Sequence, residues 1–481
     1  MIMSTPTIDH ADIQGIVIRS YKDLAEACYV MIDFADVKKS CKWLKSIINR
    51  ITPASIKPQF ALQIAFTSKG VSHFISDDQY VEPFSREFLE GMVTPERSRI
   101  LGDLDTNDPV KWNWGQNNES IGGVLMFFAE NVEILERNYR NIVDDFEIYN
   151  IQEVIRLNSQ ILPSGKEHFG FRDGVSQPLI RGLEKEEELS LQKASTLLQD
   201  KKVVMDNYIN PGEFILGYEN EYGQVPSYPT ITNVIGDKLN IGLNGSYMVF
   251  RQMNQDVKTF WEYIYNQKQS NPSFKDKDAI YIASKLMGRW PNGNSLTDNP
   301  EEEGEVLPND KINNFLYKSQ DQFGFGCPIG SHVRKTNPRD GIDSDPDKSI
   351  QVSKRHRILR RGRTFGTPLS ESLNLGKNNK EIDRGLYFIC FNSNIGRQFE
   401  FIQQTWSNNG KFDDLYNDVD PITGVSFTKG KYVPCQFTIQ SQPFRKSLKD
   451  IPQFVFIRGG AYFFVPGIKA LEIIASIHSK Y

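Results

Sequence analysis

Gly170-Phe171-Arg172-Asp173-Gly174 sets a carboxylate between two glycines. Far downstream, Cys327-Pro328-Ile329-Gly330-Ser331-His332-Val333-Arg334-Lys335-Thr336-Asn337-Pro338-Arg339-Asp340 sets a histidine in a tight, arginine-rich turn. Neither stretch identifies a chemistry by itself. A GxxDG string recurs by chance, and a lone histidine is more often structural than ligating. Their order and flanks carry the reading.

Around these motifs an apolar strand followed by a helix recurs three times. Gly122-Gly123-Val124-Leu125-Met126-Phe127-Phe128 runs into 131–143, Gly245-Ser246-Tyr247-Met248-Val249-Phe250 into 255–266, and Gly385-Leu386-Tyr387-Phe388-Ile389-Cys390-Phe391 into 395–406. Each strand is short, glycine-bounded and rich in aromatic and β-branched residues. Val257, Phe260, Trp261 and Ile264 keep the i, i+3, i+4, i+7 spacing of an amphipathic helix. A weaker copy opens the chain, with a strand over 25–34 and a helix over 37–51. Such units build either a parallel sheet or an antiparallel ferredoxin-like sheet, and the pattern leaves that choice open. No glycine-rich phosphate loop follows any strand, which weighs against a nucleotide-binding sheet. A boundary between halves falls within 182–218, where the acidic run Glu184-Lys185-Glu186-Glu187-Glu188 leads a helical stretch to Leu198. The polar segments 300–305 and 340–348 read as solvated insertions.

A chain of 481 residues exceeds one ordinary core and predicts two domains. With 39% hydrophobic and 24% charged residues the composition is that of a globular protein, and a net charge of −4 excludes an electrostatic nucleic-acid binder. The basic runs Lys354-Arg355-His356-Arg357 and Arg360-Arg361-Gly362-Arg363 are local. No signal-peptide core, twin arginine or membrane-length apolar run is visible, so no membrane partner and a cytoplasmic location are expected. The five cysteines (28, 41, 327, 390 and 435) form no CxxC pair, which argues against a disulfide scaffold or a zinc site and for a reducing compartment.

Taken together, the two motifs resemble the dye-decolourising peroxidases, a family of haem enzymes. The resemblance covers most of the chain beyond about Gly122. It includes Gly174-Val175-Ser176-Gln177-Pro178, Pro211-Gly212-Glu213-Phe214-Ile215-Leu216-Gly217-Tyr218, Lys285-Leu286-Met287-Gly288-Arg289-Trp290 and Phe399-Glu400-Phe401-Ile402-Gln403-Gln404-Thr405-Trp406. The longer members of the family are the nearer match.

What the resemblance implies is specific. The fold is α+β, two ferredoxin-like domains with antiparallel sheets in a dimeric α+β barrel-like arrangement. Residues 1–210 form the domain carrying GxxDG and residues 211–481 the one that mainly holds haem b, one per chain. His332 is the proximal iron ligand, because its surroundings resemble the family's GxHxRxxNPR segment. Asp173 moves a proton between the peroxide oxygens, and Arg360, in a segment like HxxxRxG, stabilises the charge that develops. Arg361 and Arg363 stand beside Arg360 as alternatives; in an extended strand Arg360 faces opposite to Arg361. Leu386 and Phe388, two apart on a strand, share the face that lines the pocket. Asp420 hydrogen-bonds the proximal imidazole. Arg334 and Arg339 either meet the haem propionates or form salt bridges on the protein surface. The implied activity is peroxidase: hydrogen peroxide is reduced and a small-molecule or dye reductant oxidised through a ferryl intermediate, bulky donors passing electrons through surface tyrosines or tryptophans. The competing reading is a haem-binding protein for haem or iron handling with incidental peroxidase activity. Ferredoxin-like sheets often pair, so a homo-oligomer is also expected.

Overall fold

A computed structural model describes residues 7–183, 207–233, 236–308, 311–367 and 383–478. The first half supplies β1 (Glu26–Phe34), α1 (Val37–Ile47), β2 (Phe60–Phe66), β3 (Gly123–Ala129), α2 (Val132–Val143) and β4 (Ile151–Gln160). The second supplies β5 (Ser246–Gln255), α3 (Val257–Ser270), α4 (Ala279–Met287), α5 (His332–Thr336), α6 (Pro346–Arg355), β6 (Leu359–Arg360), β7 (Arg363–Phe365), β8 (Gly385–Asn392), β9 (Val455–Val465) and α7 (Ile468–Ser476).

The order β2-β3-β1-β4 in the first half and β9-β5-β8-β7 in the second is the ferredoxin-like order, twice, and every pairing in these sheets is antiparallel. That settles the choice the strand–helix pattern left open. The two sheets join edge to edge where Phe464 faces Phe66 and Thr364 faces Gln160, closing an eight-stranded barrel. Alternation along the strands divides two cores. In β1, Tyr29 and Met31 point into the barrel, while Cys28, Val30 and Ile32 face the helices. Tyr29, Phe250 and Tyr387 form an edge-to-face cluster inside, with ring centroids 5.0–5.7 Å apart.

The helices begin where caps dictate. Asp36, Asn131 and Asp256 each accept a hydrogen bond from the backbone N–H three residues on. The Asp256 cap delays α3 to Val257, and β5 runs on to Gln255 instead of ending at Phe250. Arg251 and Gln252 made that extension illegible, since both are buried polar residues inside the strand. Arg251 is paired with Asp103, and Gln252 accepts from Trp114 Nε1 at 2.9 Å. After β8 the helical stretch is wound π-fashion over Gly396–Glu400 and Ile402–Ser407, a geometry found disproportionately at functional sites. Asp340 is buried rather than solvated, its Oδ1 accepting from the N–H groups of Tyr317 and Lys318. The acidic run and helical stretch expected over 184–198 lie outside the described residues.

The halves share their ends. Asp12 O accepts from Ile468 N–H at 2.7 Å, Gln14 Nε2 donates to Pro466 O at 2.9 Å, and α7 packs on α1. Among the described residues no helix is long and apolar enough to cross a membrane.

Candidate functional site

The outer face of the second sheet, the loop after β4, α5 and the π-helical segment enclose a pocket with about 1440 Å³ of space, part of it open to solvent. Leu386 and Phe388 face it from β8, since their neighbours Tyr387 and Ile389 point into the barrel. Asp173, Arg360 and His332 line it as well.

Asp173 is presented by a turn that needs glycine, with Gly170 at φ 98° and Gly174 at φ 76°. Its Oδ1 accepts from Gly174 N–H at 2.6 Å and from Arg360 Nη1 at 2.8 Å. Burial alone raises the carboxyl, but the Arg360 charge and the Gly174 hydrogen bond outweigh it and hold Asp173 below the usual carboxylate range. Arg360 comes from β6, where it pairs with Cys390 and donates its backbone N–H to Gln177 Oε1 at 3.1 Å. Strand alternation separates the three neighbouring arginines. Arg361 donates to Ile16 O and Ile18 O, and Arg363 to Tyr21 O and Leu24 O, at 2.6–3.2 Å. Their guanidinium groups are thus engaged by the N-terminal segment. Asp173, Gly174, Arg360 and Leu386 also line a second cleft with about 1620 Å³ of space, part of it open to solvent.

His332 opens the short α5. Its Nδ1 lies 2.8 Å from Asp420 Oδ2, while Asp420 Oδ1 accepts from the N–H groups of Ile422 and Thr423 at 2.8 and 3.0 Å. Burial works against the charged Asp420, but His332 and the two backbone donors outweigh it and keep the carboxyl low. An ionised carboxylate only accepts, so Nδ1 carries a proton; Asp420 favours the charged imidazole, and it is the neutral ring, protonated on Nδ1, that keeps a lone pair on Nε2. Lys335, three residues on and buried, donates from Nζ to Asn409 O at 2.8 Å and Asp418 O at 2.7 Å, binding α5 to the loop that carries Asp420. Burial pushes this amine down to about 8. Lys335→Met should cost about 2–4 kcal/mol of unfolding free energy, because two buried carbonyls lose their donor. Denaturant unfolding reads that cost, and an unchanged midpoint would contradict the role.

Arg334 and Arg339 are not at the pocket wall. Arg334 donates to Asp321 O and Cys327 O, both at 3.0 Å; Arg339, at φ 53°, donates to Asn313 O at 3.0 Å and Phe315 O at 2.8 Å. Through these bonds both guanidinium groups hold the loops around His332. The arginines lining the pocket are Arg172, Arg289, Arg357 and Arg360. Arg289 and Arg357 bind carbonyl, hydroxyl and amide oxygens, with no carboxylate partner among the described residues, and burial pushes them down to about 10 and about 9. Asn337 lines the pocket with both amide heteroatoms buried and unpaired. Glu167 lines it too, its carboxyl pushed up to about 7 by burial against three hydrogen-bond donors. Sequence reasoning passed over these four residues. Asn337 sat in plain view in the Asn337-Pro338-Arg339 string, and Arg289 and Arg357 inside quoted segments. Glu167, three residues ahead of Gly170, carried no signal of its own.

A family model described as "Dyp-type peroxidase, C-terminal" matches residues 213–433. Dye-decolorizing peroxidase msp1 of Mycetinis scorodonius is 26% identical over 98% of this chain and 89% of its own length. Multifunctional dye peroxidase DyP2 of an Amycolatopsis species is 31% identical over 64% of this chain and 61% of its own. A dye-decolourising peroxidase solved in complex with 2,6-dimethoxyphenol superposes with a TM-score of 0.77 at 25% identity, covering 97% of this chain and 100% of the other. The chain belongs to the DyP-type peroxidase family.

Proposed function

We propose that this protein is a haem peroxidase that reduces hydrogen peroxide and oxidises phenols, dyes or other one-electron donors, with one haem b in the pocket described. The observation that carries the reading is one pocket lined both by an imidazole oriented by a buried carboxylate and by a carboxylate–guanidinium pair. The residues fit the cofactor. Met253, Met287, Phe399 and Val455 give apolar walls for a flat macrocycle, and His332 Nε2 is unengaged among the described residues. Asn337 and the carboxylate-free Arg289 and Arg357 suit the propionates.

Bound haem would supply the redox chemistry of peroxide reduction and one-electron donor oxidation. His332 would hold the iron through Nε2. Asp420, accepting from Nδ1, makes that nitrogen a stronger donor and fixes the ring plane. Asp173 Oδ1 is taken by Arg360 and Gly174, so Oδ2 is the atom that accepts the proton of the nearer peroxide oxygen and returns it to the farther one. The remaining N–H groups of Arg360 stabilise the negative charge on the departing oxygen. Arg360 also keeps Asp173 ionised, ready to act as the base.

The test is a haem titration followed by absorption spectroscopy. One haem is expected to bind per chain with a Soret band; the band should shift with one equivalent of hydrogen peroxide and return when a phenol is added. A protein that binds no haem, or binds it without responding to peroxide, would overturn the reading.

A further inference from the structure

We propose that Glu167 is a positioning residue for Asp173, its carboxylate pinning the loop from which Asp173 reaches Arg360. Glu167 Oε1 accepts from Phe171 N–H at 2.9 Å, and Oε2 accepts from Phe169 N–H at 2.9 Å and from Gln255 Nε2 at 2.6 Å. The backbone closes the same ring: Glu167 N–H donates to Phe171 O and Gly170 N–H to Glu167 O, each at 2.9 Å. One side chain therefore fixes the amides on both sides of Gly170. Gln255 ends β5 and donates its own N–H to Arg384 O at 2.9 Å, so the ring is tied to the sheet. Phe169 anchors it further, its ring centroid 4.6 Å from that of Phe260 on α3.

Asp173 follows two residues later. Its side-chain hydrogen bonds among the described residues are those to its neighbour Gly174 and to Arg360, and its side chain is 37% exposed. Its aim is thus inherited from the backbone that Glu167 holds. The inference rests on the reading of Asp173 as the proton carrier.

Glu167→Gln keeps the size but turns an NH2 group toward one of the two backbone donors, and Glu167→Ala removes both acceptors. In the ligand-free protein the amides of Phe169 and Phe171 are expected to exchange with solvent about tenfold faster or more in both variants, while β1 amides are unchanged. Gln255→Leu, which spares the two amide bonds, should shift exchange in the same direction by less. In the haem-loaded protein the ferric spectrum and the KM for a phenol should hold, while the rate with peroxide falls about tenfold, a 1.4 kcal/mol barrier increase. The acid limb of that rate should also move to higher pH, because Asp173 is released from Arg360. The charged and titratable groups around Asp173 are Arg360 on β6, His332 on α5, and Glu167 and Arg172 on its own loop. Unchanged exchange would remove the staple. Faster exchange with an unaltered peroxide rate and pH limb would leave Glu167 a brace without a positioning role. A wild type inert to peroxide would instead defeat the reading of Asp173, whatever the exchange shows.

Discussion

Asp173→Asn keeps its haem and loses most of its reaction with hydrogen peroxide, an expected fall of about 10²–10⁴ for removal of a proton-transfer group. The amide preserves the size of the side chain and an oxygen facing Arg360 Nη1, so the loss reports the missing base rather than a collapsed pocket. Arg360→Ala is expected to cost about 10²–10³, the range for deleting one preorganised donor to developing charge. The double variant should lose little more than the worse single one, because the two groups act as a unit. The pH dependence separates their roles. Asp173 is held below the usual carboxylate range, so wild type keeps its base ionised to lower pH than a free carboxyl and loses rate only as pH falls through that lowered value. Removing Arg360 takes away the largest influence that lowers the carboxyl, so the acid limb of Arg360→Ala must move to higher pH. Stopped-flow rates with peroxide across acid pH measure both effects. Full rates in both single variants would refute the assignment, and an acid limb that stays put in Arg360→Ala would refute the ion pair as its cause.

The elements legible in the sequence were those where one periodicity dominates. Val257, Phe260, Trp261 and Ile264 are buried as their spacing demanded, and period-two alternation put Leu386 and Phe388 together on one face, opposite Tyr387, while only the family resemblance named that face as the pocket wall. The same alternation sets Arg360 opposite Arg361, and the choice of Arg360 for the pocket rested on the resemblance to HxxxRxG. Arg334 and Arg339 show the limit. A guanidinium that binds loop carbonyls and one that faces a ligand have the same local sequence, and only the fold decides which oxygens are near. Arg251 concealed part of β5 for a related reason, since its partner Asp103 lies far away in sequence and makes its burial tolerable. Glu167 was illegible because its work is done on the backbone of its own loop, and backbone amides leave no trace in composition.

The second large effect belongs to His332. In His332→Ala the pocket keeps its apolar walls and arginines, so haem is expected to bind, but weakly and with an altered Soret band. The harder consequence falls on Asp420, which sits 1% exposed with the imidazole as its one side-chain partner among the described residues. Stranding a buried carboxylate in this way costs about 3–5 kcal/mol. His332→Ala therefore risks losing haem through instability rather than through loss of a ligand. His332→Ala with Asp420→Asn resolves the ambiguity. The neutral amide needs no counter-charge, so the double variant should recover much of the unfolding free energy lost in His332→Ala and still fail to restore the Soret band. Asp420→Asn alone should fold and bind haem, with affinity or turnover reduced about 10–100-fold, the usual effect of removing a carboxylate behind a ligating histidine. Its reduction potential should rise, since a neutral partner no longer strengthens Nε2 as a donor. Denaturant unfolding of the ligand-free proteins and spectra of the haem-loaded ones carry the comparison. A wild-type Soret band in the stable double variant would show that His332 does not hold the iron, and a potential unmoved in Asp420→Asn would show that Asp420 only braces its loop.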